Sequence, residues 1–137
     1  MIDGPTADQI DHWVEDRIRV TDIDFQHHVN NAVYAALFGN SRFDFLLTRV
    51  RPLVGAGDRL VVARTQTDFL REMSYGAPVR TGTLVKRVGR TSLVLWQVMY
   101  QDGAPAAASD TVMVRIDGET HAPAPWPEAV RRLVPTG

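Results

Sequence analysis

The sequence predicts an α+β fold in which an antiparallel sheet wraps its concave face around one long central helix. Three observations carry this reading. An apolar stripe with helical period begins near Ala32, four strand-like runs follow it, and Asp102-Gly103 sits between the last two runs as a hairpin turn.

His12 to Val20 reads as the first strand, because Val14, Ile18 and Val20 fall on one face at period two, interrupted at Asp16. From Ala32 the period changes. Tyr34, Leu37, Phe38, Ser41 and Phe45 follow i, i+3, i+4, i+7, i+11, with Val33, Leu46 and Leu47 widening the stripe, which predicts a helix of about four turns. Asn30 and Asn31 are N-cap candidates, since an Asn oxygen accepts an otherwise orphaned backbone N–H. Gly39 in mid-helix costs about 1 kcal/mol relative to Ala, so close packing against another backbone is expected there.

Arg59–Arg71, Val79–Val88, Thr91–Gln101 and Ala106–Asp117 are rich in Val, Thr, Leu or aromatics and read as four consecutive strands. Tyr75-Gly76, Gly89 and Asp102-Gly103 mark their connections, so neighbouring strands are expected to be antiparallel. Pro127 stands at or near the first position of a short terminal helix, Glu128 to Leu133. A sheet curled round one helix leaves exposed edge strands, and pairing with a second copy removes that liability, so a homodimer or homotetramer is expected.

The 137 residues fit one compact domain, taken as residues 1–137. A net charge of −1 offers no global field for nucleic acid, so any anion site has to be local. Cysteine is absent, which removes disulfides, thiolate metal sites and thiol nucleophiles together. Met1 to Asp11 lacks the apolar run of a signal peptide, and the mature chain is expected to start here; a cytoplasmic location follows only as a default. Phe25 to Ser41 carries no formal charge, but its Gln, His and Asn residues argue against membrane insertion.

Polar chemistry concentrates between Arg19 and Tyr34. There a strand leads through a loop holding two carboxylates and two imidazoles to the start of the apolar helix. A helix N-terminus presents unpaired N–H groups and a positive dipole end, which stabilises an oxyanion, while a nearby carboxylate acts as base or nucleophile. Hydrolysis of an activated acyl group needs that pair. Asp24 is the candidate carboxylate; the bland alternative is that it caps or braces the loop. His27 and His28 with Asp22 or Asp24 make a poor metal signature, since no third spaced ligand is present, and neither a metal nor a cofactor is expected. His28 is expected to hydrogen-bond within the loop and orient it, and His27 to lie exposed or near the substrate mouth. Either imidazole titrates near neutrality and so remains a catalytic candidate. Asp22 and Asn30 read as structural.

Asp22, Asp24, His28, Val29, Asn30, Asn31 and Tyr34 match an Asp-x-Asp-x-x-Gly-His-Val-Asn-Asn-x-x-Tyr signature, followed by Phe38 and Arg42 on the helix. Asp68 to Gly76 and Gly89-Arg-Thr-Ser-Leu93 supply two further motifs in the same order. On these residues the sequence resembles the hotdog-fold thioesterases of the 4-hydroxybenzoyl-coenzyme A thioesterase-like family, over about Asp11 to Val134. The resemblance implies an acyl-CoA thioesterase in which Asp24 attacks the thioester carbonyl or activates water, and in which the Asn31 N–H polarises the carbonyl oxygen. It departs from the family at His27, where relatives carry Gly, and at Gly39 and Asn40, where many carry two acids.

A coenzyme A substrate brings phosphates, for which Lys86, Arg87 and Arg90 are candidate partners, with a solvated strand end as the bland reading. Thr91 and Ser92 are candidate donors to the pantetheine arm. The same group would suit an acyl-carrier-protein substrate. Tyr34 and Phe38 belong first to the core and are candidates to line an acyl pocket at a dimer seam. Serine-hydrolase, nucleotide-loop and dinucleotide motifs are missing. The Asp24 and Asn30-Asn31 pattern argues against the dehydratases and hydratases of the same fold. A non-catalytic hotdog protein that binds an acyl thioester or scaffolds an assembly is the remaining alternative.

Overall fold

The computed structural model describes residues 3–136. Five antiparallel strands, β1 (Trp13–Asp16), β2 (Arg59–Phe69), β3 (Val79–Val88), β4 (Ser92–Gln101) and β5 (Ala104–Ile116), form one sheet in the order β1-β3-β4-β5-β2. Helix α1 (Asn31–Phe45) lies on its concave face, and its rod continues as a π-helical turn over Leu46–Val50 and a 3-10 turn over Arg51–Leu53. A short helix α2 (Glu128–Arg131) closes the chain, entered through Pro127 as its N-cap.

The buried face of α1 is the one its period predicts: Tyr34, Leu37, Phe38, Ser41 and Phe45. They meet two apolar clusters. Toward the helix start, Tyr34, Leu37 and Phe38 pack with Ile18, Val29, Met73, Val79, Met99 and Ala107. Toward its end, Phe45 and Val50 pack with Val85, Leu93, Leu95, Met113, Trp126 and Val130. The other face of the sheet is covered by the N-terminal segment, where Ile10 and Trp13 pack on Leu84, Trp96 and Val98. Gly82 makes that approach possible, since a Cβ there would lie 2.8 Å from Ile10 Cγ2.

Two expectations change in detail. The first strand is only Trp13–Asp16; the chain leaves the sheet after it, and Val20 starts a 3-10 turn with its side chain 74% exposed. That turn is set by Asp22, whose carboxylate accepts the Arg19 N–H at 2.8 Å and therefore competes locally with strand pairing. Gly39 is not packed against a backbone, since a Cβ there would meet only the Arg42 Nη2 atom at 3.7 Å. Bulges at Ala63 and Lys86 interrupt the ladders of β2 and β3. The Asp102-Gly103 hairpin is as expected, with φ of 54° and 73° at the two turn residues. Among the described residues no helix is long and apolar enough to cross a membrane.

Candidate active site

The loop before α1 is a closed structure. Ile23 and Val29 pair as an antiparallel bridge, the Asp24 N–H donates to the His28 carbonyl at 3.0 Å, and the His27 N–H donates to the Asp24 carbonyl at 3.0 Å. His27 turns the chain with φ 65°, the left-handed region that favours glycine and that histidine enters at a cost. The bulky residue therefore keeps the loop path that a glycine would take, with its ring exposed.

Asp22 anchors the base of the loop. It is buried, and the Arg19 backbone N–H, followed by the Arg19 guanidinium at 3.0 Å, holds its carboxyl below the usual carboxylate range. Its carbonyl accepts the Asn30 N–H at 2.9 Å, which fixes the chain as it enters the helix. Asn30 then caps α1: its Oδ1 accepts the Ala32 N–H at 2.8 Å. Asn31 becomes the first helical residue, whose N–H has no acceptor within the helix.

Asp24 Oδ1 accepts the Gln26 N–H at 2.9 Å, so this carboxylate does brace the loop. Its second oxygen takes no protein hydrogen bond among the described residues. The carboxylate is half-buried rather than sealed in the core. A carboxylate with one oxygen held and one available is oriented without being neutralised, which suits either a nucleophile or a base.

His28 turns away from the loop. Its Nε2 lies 3.1 Å from Glu72 Oε2, in the segment joining β2 to β3, so its partner is outside the loop in which it was expected to bond. Two hydrogen bonds join the same parts: the Val29 N–H donates to the Met73 carbonyl at 3.0 Å, and the Tyr34 hydroxyl donates to the Arg71 carbonyl at 3.0 Å. Residues 71–73 are thus stitched to the loop and the helix start, a feature hidden from the sequence because the partners lie at least 37 residues apart. Tyr34 is a core residue, edge-on to Phe69 at 5.2 Å, and burial pushes its hydroxyl pKa up.

The candidate carrier-binding group lies elsewhere in the chain. Lys86, Arg87, Arg90, Thr91 and Ser92 surround the β3–β4 turn, beside the cluster at the end of α1. Val79, packed by the Asp24 loop, is nine residues up β3 from Val88, about 30 Å at strand rise. Lys86 is engaged: its ammonium binds Asp110 Oδ2 at 2.9 Å and the Asp3 carbonyl. Thr91 and Ser92 use their carbonyls to accept from Trp126 Nε1 and the Gly89 N–H. Arg87 and Arg90 remain exposed. Among the described residues no group of three His, Asp or Glu converges to hold a metal ion.

A five-stranded antiparallel sheet curled round one long helix, with a carboxylate-bearing loop at that helix's start, defines a protein of the hotdog class. The chain belongs to the Thioesterase-like superfamily, whose family model matches residues 18–134. It is similar to a thioesterase from Thermus thermophilus solved in complex with coenzyme A and Zn, at 32% identity, TM-score 0.76, covering 89% of this chain and 90% of that one. It is also similar to a predicted thioesterase from Bacillus stearothermophilus, at 27% identity, TM-score 0.78, covering 91% and 98%. A hypothetical protein from Staphylococcus aureus in complex with CoA shares the fold at 20% identity and TM-score 0.73, covering 92% and 87%. No curated protein matches the chain. Family and relatives alike point to thioester hydrolysis in general.

Proposed function

We propose that the protein hydrolyses an acyl-CoA or acyl-carrier-protein thioester to a free acid and a thiol. The observation that carries this reading is an oriented carboxylate, Asp24, in the loop that leads into α1, whose first residue Asn31 has an N–H with no acceptor inside the helix. The thioester carbonyl oxygen would accept the Asn31 N–H, where the helix dipole stabilises the negative charge that develops in the tetrahedral intermediate. Asp24 would attack the carbonyl carbon or remove a proton from the attacking water. His28, tied to Glu72, holds residues 71–73 against the loop and is assigned a positioning role. The family relative bound to coenzyme A supports a CoA carrier.

The protein would act as a dimer joined through β2. This strand is eleven residues long, pairs among the described residues only with β5, and leaves Val62 and Phe69 about half exposed. Two copies pairing β2 antiparallel would extend the sheet to ten strands. The two-fold axis would then bring the β3–β4 turn of one copy to the same end of the sheet as the Asp24 loop of the other. Arg87 and Arg90 would serve the carrier phosphates of the second copy's site, with Thr91 and Ser92 beside the pantetheine arm. The whole of residues 1–137 acts as one hotdog domain in this reading.

The test is thiol release from a panel of acyl-CoA and acyl-carrier-protein thioesters by purified protein. Release from at least one ester, with the carrier preferred, supports the proposal. No release from any ester, with the esters still bound, would instead support the non-catalytic binding alternative.

A further inference from the structure

Between the two apolar clusters beneath α1, the sheet carries a band of polar side chains. Thr83, Gln97, Ser109, Thr111, Thr65 and Thr67 follow one another across the concave faces of β3, β4, β5 and β2. Thr65 bonds to Ser109 at 3.3 Å and to Thr111 at 3.2 Å, and Thr67 donates to Ser109 at 3.2 Å. Gln97 Nε2 donates to Thr83 Oγ1 at 2.9 Å and to the Phe38 carbonyl at 3.1 Å. The band runs out to the sheet edge, where Thr65 is exposed.

Arg42 reaches from α1 over this band. Its Nη1 donates to Gln97 Oε1 at 3.4 Å and to Thr111 Oγ1 at 3.5 Å, both neutral acceptors at the long limit of hydrogen bonding. It forms no ion pair among the described residues, and burial lowers its pKa from the usual arginine value. A guanidinium held partly out of water without a counter-charge is an arrangement that a carboxylate would complete, because its fork matches two carboxylate oxygens. The Thr65 hydroxyl, exposed at the edge of the band, can donate to the same group.

We infer that Arg42, with Thr65 at the exposed end of the band, binds a carboxylate at the far end of the acyl chain, so that ω-carboxyacyl thioesters are the preferred substrates. This rests on the thioester-hydrolase reading above. Arg42 follows Asn31 by eleven residues, about 16 Å along the helix axis. Its side chain leans back toward the helix start, so the distal carboxylate belongs to a chain of medium length.

The experiment compares kcat/KM for octanoyl-CoA and for the mono-CoA ester of octanedioate, in the wild type and in Arg42→Gln. Binding of free octanedioate to both proteins is measured by calorimetry alongside. The inference expects the carboxylated ester to be favoured about tenfold in the wild type, through KM, and the preference to vanish in Arg42→Gln and to persist in Arg42→Lys. Octanedioate should bind the wild type more tightly than it binds Arg42→Gln. Equal or reversed preference in the wild type, or a preference unchanged in Arg42→Gln, would overturn the assignment of Arg42. If no ester of the wider panel releases thiol while octanedioate still binds the wild type better than Arg42→Gln, the hydrolase reading fails and the carboxylate site stands. No turnover with no binding difference overturns both.

Discussion

Asn30 Oδ1 accepts the Ala32 N–H at 2.8 Å, which satisfies the second N–H of α1 and leaves that of Asn31 facing out of the helix start. The cap and the proposed oxyanion donor are thus adjacent residues with separate tasks. Asn30→Ala removes only the cap and is expected to cost about 1 kcal/mol of stability. It should also lower kcat/KM, because fraying displaces the Asn31 N–H. Chemical denaturation alongside steady-state kinetics checks both.

His27 sits at φ 65° with an exposed ring, so its side chain gains little from packing while its backbone is strained. His27→Gly is expected to raise stability by about 1 kcal/mol, and His27→Val to lower it, since a β-branched residue enters that region at greater cost. Thermal melts of both variants decide this. Retention of turnover in His27→Gly would place the imidazole outside the chemistry.

Asp22 and Asp58 both have carboxyls held below the usual range. For Asp22 the chief cause is the Arg19 N–H; for Asp58 it is the Arg115 guanidinium, with the Gly55 and Gly118 N–H groups adding to it. A depressed folded pKa gives stability that is present above the unfolded value and lost as pH falls through the folded one. The protein should therefore hold a steady Tm from neutral pH to about pH 4 and lose stability below it. Asp22→Ala is expected to be destabilised by about 1–3 kcal/mol at pH 7. That gap should narrow as the pH falls through the lowered folded pKa of the wild-type carboxyl, and melting curves at decreasing pH measure it.

Gly82 lies under Ile10 and Trp13, whose atoms come within 2.9 Å of where a Cβ would stand. Gly82→Ala should cost about 1–3 kcal/mol by overpacking, read by denaturant midpoint. The effect should fall on stability alone, because this contact is on the face of the sheet opposite α1.

Much of this architecture could be read from the residues. Helix α1 showed in its period because Tyr34, Leu37, Phe38, Ser41 and Phe45 all face the sheet, and Asp102-Gly103 showed because its turn needs positive φ twice. The stub strand β1 was overextended, since Ile18 is buried by the cluster under α1 rather than by strand pairing. The link from His28 to Glu72 was invisible for the same kind of reason: it joins residues far apart in sequence whose approach is set by the curl of the sheet. The cluster of Lys86, Arg87 and Arg90 was legible as charge, but not its placement at the far end of β3 from the Asp24 loop, which depends on register. The polar band under Arg42 escaped too, because alternating Thr and Ser in strands look like ordinary solvent-facing positions until the sheet is seen to turn them toward the helix.

The most direct test of the account is the ratio of kcat/KM between wild type and Asp24→Asn on the best thioester of the panel, with folding of the variant verified by its melting curve. If Asp24 is the nucleophile or base, the variant should be slower by about 10²–10⁴-fold, while substrate binding persists through the Asn31 N–H and the carrier contacts. A well-folded Asp24→Asn protein that turns over as fast as the wild type would contradict it, and would leave Asp24 only the loop-bracing bond to the Gln26 N–H.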